Sequence, residues 1–522
     1  MPRALSLALL LTLLPAVAWA QGVSDAEVLP QGSGGLAIQP LLGYGPGTLQ
    51  RFGRGWQVGR ESLIADFNGI NLSELIAGGD AELLETVAGG TLGVTRFDGT
   101  QRSFGINFLL AFGVTERLTF VGLLPYQNVN YTLRASLEGA TSNLRVKDPE
   151  ALDCGDDFDL AANFDDIVED GGENYTFNIG DLNRALISKC FSYRPVIDGV
   201  QGGMGTADRN YSGFRDLILG AKYQFFRGRD FNLAALGYVV FPTGKQDDPD
   251  DLFDVRLGDG QWDAALLAAI SLPIGKRLRL GASAGYEISF GDTFTTRLGT
   301  VSFSDDLEEQ LARGDISEEE LFDRYLDDGQ LVPVATRFDR VDIQRKLGDT
   351  LYLYSYLNFQ ILEWLSVGVS VNALHHFRDA VNGIGARPEG TAPYPTEDEI
   401  RAEVDRLVAD GEIQEENRIT ELRNRFASSA ARKRASYAWR TVRGNLVAGV
   451  GVNFNFLGPF LRGEFPVPLI AQLSVSRFIA GQNLDTPDAV QATLIIPFIV
   501  KDVRDPAEYG YDDEVGGGTP WP

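Results

Sequence analysis

The chain has 522 residues and a formal net charge of −26, with 72 acidic against 46 basic side chains. That balance argues against nucleic acid as a partner, because phosphate binding needs concentrated Lys and Arg. The 59 glycines and 10% aromatics fit one large barrel or two or three ordinary domains.

Met1-Pro2-Arg3, the apolar run Ala4 to Leu14 and Ala18-Trp19-Ala20 read as a secretory signal over 1–20, cut before Gln21. No later run offers the roughly 18 apolar residues of a spanning helix. Segment 21–89 precedes the strands and holds LSELIAGGDAELLETVAGG, a helix pattern broken at Gly78-Gly79.

Period-two segments follow. A weak strand at 90–97 is joined through Asp98-Gly99 to 103–112, where Phe104, Ile106, Phe108 and Leu110 share one face. After Gly113 to Glu116 comes 117–126, with a bulge expected at Pro125. The connection 134–212 carries the only cysteines, Cys154 and Cys190, and in an exported chain they read as a disulfide. Next come FRDLILGAKYQFF at 214–226 and 231–241, the acidic stretch 243–260, then 261–272 and 276–290. In the last of these Leu278, Leu280, Ala282, Ala284, Tyr286, Ile288 and Phe290 alternate with small, polar or charged residues.

Connection 291–349 contains SEEELFDRYL, and 378–439 contains TEDEIRAEVDRLVADGEIQEENRITEL. Ser317 with Glu320 and Thr396 with Glu399 fit capping boxes. Paired helices projecting outside are expected, with an acidic, solvated hairpin as the plainer form. Strands 350–361 and 364–377 precede the second insertion, and 440–456, 468–478 and 488–500 follow it.

Counted together, these make about twelve strands, with short turns on one rim and long connections (134–212, 243–260, 291–349, 378–439) on the other. This is the pattern of an all-β transmembrane up-and-down antiparallel barrel over 90–500, with long, partly helical extracellular loops. The expected location is the outer membrane, among lipid and lipopolysaccharide, after insertion by the barrel assembly machinery. Residues 501–522 read as an acidic periplasmic tail. Two soluble β domains are the competing architecture. Closure is what lets a sheet in lipid satisfy all its amides.

Strand parity nominates a lumen face of Asp216, Lys222, Asp263, Arg279, Glu287, Tyr352, Tyr354, Tyr356, Asn358, Asn372 and Gln472. Mixed charge there either lines a pore or seals it through ion pairs. The tyrosines suit an aromatic solute or an interfacial belt. Acidic clusters at Asp156-Asp157 and Asp247-Asp248-Pro249-Asp250-Asp251 are candidates for divalent cations, without the spacing of a calcium loop. No cofactor or resident metal is expected. His375 and His376, the only histidines, are adjacent on a strand and must face opposite ways, which argues against an enzyme.

GVTERLTFVGLLPY, FRDLILGAKYQFF and FPTG at 241–244 resemble phrases of the outer-membrane family labelled MetA-pathway of phenol degradation, a relative of fatty-acid and toluene channels. The resemblance covers residues 90–300, with a looser continuation to 500. It implies passive passage of small hydrophobic or aromatic molecules. It also implies that segment 21–89 enters the lumen as a plug, against the simpler reading of a periplasmic arm. One departure is the run KDVRDPAEYGYDDEVGGGTPWP after Phe498, where many barrels end on an aromatic residue. The alternative function is a structural or adhesive barrel that displays its acidic helical loops without conducting.

Overall fold

In a computed structural model of the protein, twelve strands close into one barrel. The structure describes residues 26–44, 93–139, 206–246, 257–299, 301–326, 340–385, 393–426, 429–438, 441–485 and 488–499, with short pieces between. The signal sequence, Cys154, Cys190, Asp156-Asp157, Asp247, Asp251, the stretch 72–90 and the tail 501–522 lie outside the described residues.

The wall is built from β1 (Ser33–Tyr44), β2 (Val94–Thr115), β3 (Leu118–Glu138), β4 (Leu217–Arg227), β5 (Asn232–Phe241), β6 (Asp263–Ile274), β7 (Leu278–Ser289), β8 (Thr350–Leu362), β9 (Leu365–His376), β10 (Arg443–Asn455), β11 (Ile470–Gln482) and β12 (Asp488–Ile499). Each strand is antiparallel to its neighbours in sequence, and β12 pairs with β1. No edge of the wall remains, as hydrocarbon requires.

Alternation decides which face meets lipid. Along β7, Leu280, Tyr286 and Ile288 are exposed outward while Gly281, Ser283, Gly285 and Ser289 are buried inside. Leu266 on β6, Leu353 on β8, Val369 on β9, Leu473 on β11 and Ile496 on β12 extend the outer apolar belt. Aromatic contacts mark both rims. Phe241 meets Trp262 at 4.8 Å on the long-loop side, and Phe226 stacks on Phe231 at 4.4 Å on the short-turn side. Such girdles sit at headgroup level.

The count of twelve holds, but one member differs. Asp98 and Gly99 make no turn; they pair with Arg134 and Leu133 inside the 22-residue β2. The remaining strand is β1, from the segment expected to precede the barrel. It runs antiparallel to β2, so the connection 45–93 leaves and returns on the long-loop rim, opposite the periplasmic side expected for it. Pro125 carries no register shift. Instead β3 changes partner beside it: Leu118–Leu123 pair with β4, and Tyr126–Arg134 pair with a separate strand, Thr206–Phe214.

The two helical insertions do not stand alone in water. Helices α1 (Asp305–Arg313), α2 (Glu318–Tyr325), α3 (Glu397–Ala409) and α4 (Arg418–Phe426) share a core of Leu311, Leu321, Ile400, Val404, Leu422 and Phe426. Thr396 and Glu399 form a complete capping box, while Ser317 caps α2 through the Glu320 amide alone. Helix α5 (Ala430–Ala438) sends Arg432 back to Glu308 of α1 in a buried ion pair of 2.7 Å. Both insertions therefore fold into one cap, since each hairpin's apolar stripe covers the other's.

Candidate functional site

All eleven nominated residues belong to the inner face or its upper rim, and four of them, Asp216, Arg279, Glu287 and Tyr352, hold contacts that narrow the lumen. Asp216, between the Thr206–Phe214 strand and β4, accepts the Gly244 amide at 2.8 Å and the Asp259 amide at 3.1 Å. It anchors loop 242–262 in the mouth. Arg279 pairs at 2.9 Å with Glu27, from the segment ahead of β1. Lys222 is buried on β4, facing Leu236 of β5 and Thr119 of β3.

At the upper constriction Glu287 accepts two phenol hydroxyls, from Tyr238 at 2.6 Å and Tyr352 at 3.0 Å. Tyr238 packs against Leu123, Ile218 and Val240, and Tyr352 against Leu374, Val447 and Phe478. One carboxylate thus draws together tyrosines that lean on two apolar patches of the inner wall. Asp263 is buried above them with Oδ1 lacking a protein partner. The cavity here measures about 40 Å³, room for one or two waters, where a benzene ring needs a cavity of about 150 Å³.

Below, Tyr356 lies over Gly281, where an added β-carbon would fall 2.1 Å from the ring. Tyr354 and Tyr356 have ring centroids 5.9 Å apart. Asn372 is buried, and Asn358 and Gln472 are half-buried. Hence none of the three tyrosines serves only as a rim anchor.

The floor is formed by residues 26–32. Gln224 donates to the Ala26 carbonyl at 2.8 Å, and Ala26 packs on Ala234 and Ala269. The Leu29 amide donates to Thr119 Oγ1 at 2.8 Å, while the Leu29 side chain meets Ile470, Leu457 and Ile495 across the barrel. The chain crosses the wall's inner surface at Gly113, whose carbonyl accepts the Gly32 amide. So this short stretch enters the lumen, and residues 33–44 go to the wall.

Several closing residues were not nominated. Tyr238 is one. His376 is another: it points inward, with Nδ1 3.0 Å from Thr350 Oγ1 and Nε2 2.9 Å from Asp379 Oδ1. His375 faces out against Phe377. Burial pushes the Asp379 carboxyl up, but the His376 hydrogen bond, the charges of His376 and Arg443 and the Gly348 amide outweigh it and hold it below the usual carboxylate range. Arg345, fully buried, joins Asp292, Tyr437 and the Asp259 carbonyl, so it ties three outer loops together. Asp250, nominated with the cation clusters, is instead held by Arg297 at 2.8 Å and Arg340 at 2.7 Å. Two guanidiniums meet the charge a cation would have met.

Residues 115–298 match the family described as putative MetA-pathway of phenol degradation. The family is the one the sequence phrases resemble. Among solved structures, the chain is similar to an outer membrane channel from Pseudomonas putida F1, at 10% identity over 91% of this chain and 98% of that one, with a TM-score of 0.40. It is also similar to a FadL homologue from Pseudomonas aeruginosa, at 10% identity over 92% and 97%, TM-score 0.26. A third is the CymD monoaromatic hydrocarbon channel, at 9% identity over 90% of each, TM-score 0.27. No curated protein matches the chain. A closed barrel with an outward apolar belt and aromatic rims places this chain in the outer membrane.

Proposed function

We propose that the barrel is an outer-membrane channel for passive diffusion of small hydrophobic or aromatic molecules, held shut at two levels. The observation that carries this reading is the inner wall at the Tyr238–Glu287–Tyr352 bridge. Leu123, Ile218 and Val240 on one side, and Leu374, Val447 and Phe478 on the other, present apolar surface to the barrel axis. A pore for ions would have no use for it. The family description, which names phenol degradation, supports the same solute class.

Chemically, the channel asks only for movement. An apolar ring reaching the bridge gains roughly 25 cal/mol per Å² of surface taken from water. It must displace two tyrosines that donate to the Glu287 carboxyl, a typical hydrogen bond being worth about 0.5–1.5 kcal/mol. The Tyr faces then become the walls of its site. At the floor, residues 26–32 must swing aside.

Toluene crosses phospholipid bilayers unaided, so the test is toluene uptake by Gram-negative cells, whose lipopolysaccharide leaflet slows it, carrying the full chain or Glu287→Ala. Releasing the bridge should raise the toluene rate severalfold. Equal uptake by cells without the protein, with wild type and with Glu287→Ala would overturn the channel reading.

A further inference from the structure

The half of the lumen facing away from the tyrosines has a different chemistry. Asn453 on β10 stands opposite Gln472 on β11, which stands opposite Thr493 on β12. Gln39 follows on β1 and is paired with Asn107 on β2. Five successive strands thus each contribute an uncharged hydrogen-bonding side chain to one cross-strand row. In the adjoining row Gly451, Ser474 and Gln491 keep the surface low.

The row and its neighbour are also under-satisfied by the protein. In the row, Gln39 is 2% exposed, yet its Oε1 has no protein partner, and the same holds for Asn453 Oδ1; in the adjoining row, it holds for Nε2 of Gln127 on β3, which is 1% exposed. Buried amides normally find partners, and each left without one costs about 1–3 kcal/mol. Open acceptors on β10 and β1 and an open donor on β3 match ligands that carry both groups, such as water, a polyol or a small amide. They do not match an ion, because none of the five side chains is charged.

A cross-strand row is not a level ring. Barrel strands tilt by 35–45°, so a row of neighbours climbs the wall obliquely. Four steps of about 4.8 Å at that tilt rise about 12 Å. This is close to half of a roughly 25 Å apolar belt.

We infer that this row is a polar ramp that takes water and small uncharged solutes with several hydroxyl or amide groups, beside the apolar gate and separate from it. Its lower end meets the floor, where Leu29 packs on Ile470 and Ile495. The floor segment therefore controls access to it.

Liposome swelling in glycerol and in urea tests the inference, using the full chain and a variant lacking residues 21–30. The deletion variant should swell at least fivefold faster than protein-free liposomes in both solutes. Adding Gln472→Leu and Thr493→Val, which keep side-chain size approximately and remove the hydrogen bonds, should return the rate to near background. Val450→Leu, on the lipid face of β10, should change nothing. Heat-shifted gel migration and sheet circular dichroism establish that each variant is folded. Swelling at background in the folded deletion variant, or unaltered by the paired apolar substitutions, would overturn the ramp. Toluene uptake by cells carrying the same variants reports the apolar gate independently.

Discussion

Gly113→Ala is the sharpest perturbation of the floor. A β-carbon there would lie 2.1 Å from the Pro30 carbonyl oxygen, 2.6 Å from that of Leu29 and 2.8 Å from the Pro30 carbonyl carbon. All three atoms are backbone, so no rotamer change relieves the contact. The methyl can be accommodated only if residues 29–30 rise from the wall. Holding them down are the Leu29 side chain, worth about 1.5–3 kcal/mol when buried, and hydrogen bonds to Thr119 and Gly113, about 0.5–1.5 kcal/mol each. Overpacking of this kind costs about 1–3 kcal/mol. The open fraction of the floor should therefore rise roughly 5- to 150-fold. Toluene uptake by cells carrying the variant reads the change, with protease cleavage ahead of β1 in the purified barrel as a second measure of the displaced segment. Unchanged permeation from a folded Gly113→Ala barrel whose segment has become cleavable would refute the floor as a barrier.

Phe426→Ala should destabilise the outer cap by about 3–5 kcal/mol, because Phe426 is fully buried among residues of both insertions. Limited proteolysis should cut the cap while the barrel keeps its heat-shifted gel migration; a cap as resistant as wild type would mean the two hairpins do not support each other. The His376–Asp379 contact at the upper rim is pH-dependent in a definite sense. Asp379 has a depressed folded value, so its contribution is present above the ordinary carboxylate value of about 4 and is lost as pH falls through the folded one. Asp379→Asn should lower the cap's melting temperature at pH 7, and the gap to wild type should narrow below about pH 4. A gap that stays constant with pH would show that the carboxylate's charge is not what stabilises the rim.

What could be read from the sequence follows from distance along the chain. Lipid-facing alternation such as Leu280 to Ile288 is local, and it located eleven of the twelve wall strands. β1 escaped notice because SGGLAIQPLLGY contains three glycines and Pro40, and because Leu41 is apolar yet faces inward. Asp98-Gly99 carries a hairpin signal that the long pairing with β3 overrides. Helix caps such as Thr396 were legible, whereas the packing of one insertion on the other was not. In the lumen, parity gave the inner face of each strand but not the contacts across it. Tyr238 and Glu287 are 49 positions apart, and Arg345 reaches Tyr437 over 92. Nothing in either local pattern marks such a partner.

Everything rests on which side of the wall meets lipid, and a spin-label scan of β7 measures it directly. Labels placed singly at 278 to 289 in the reconstituted protein should show high oxygen accessibility at even positions and low at odd ones, repeating every two residues. Uniform accessibility along the strand, or oxygen favouring the odd positions, would contradict the barrel described here.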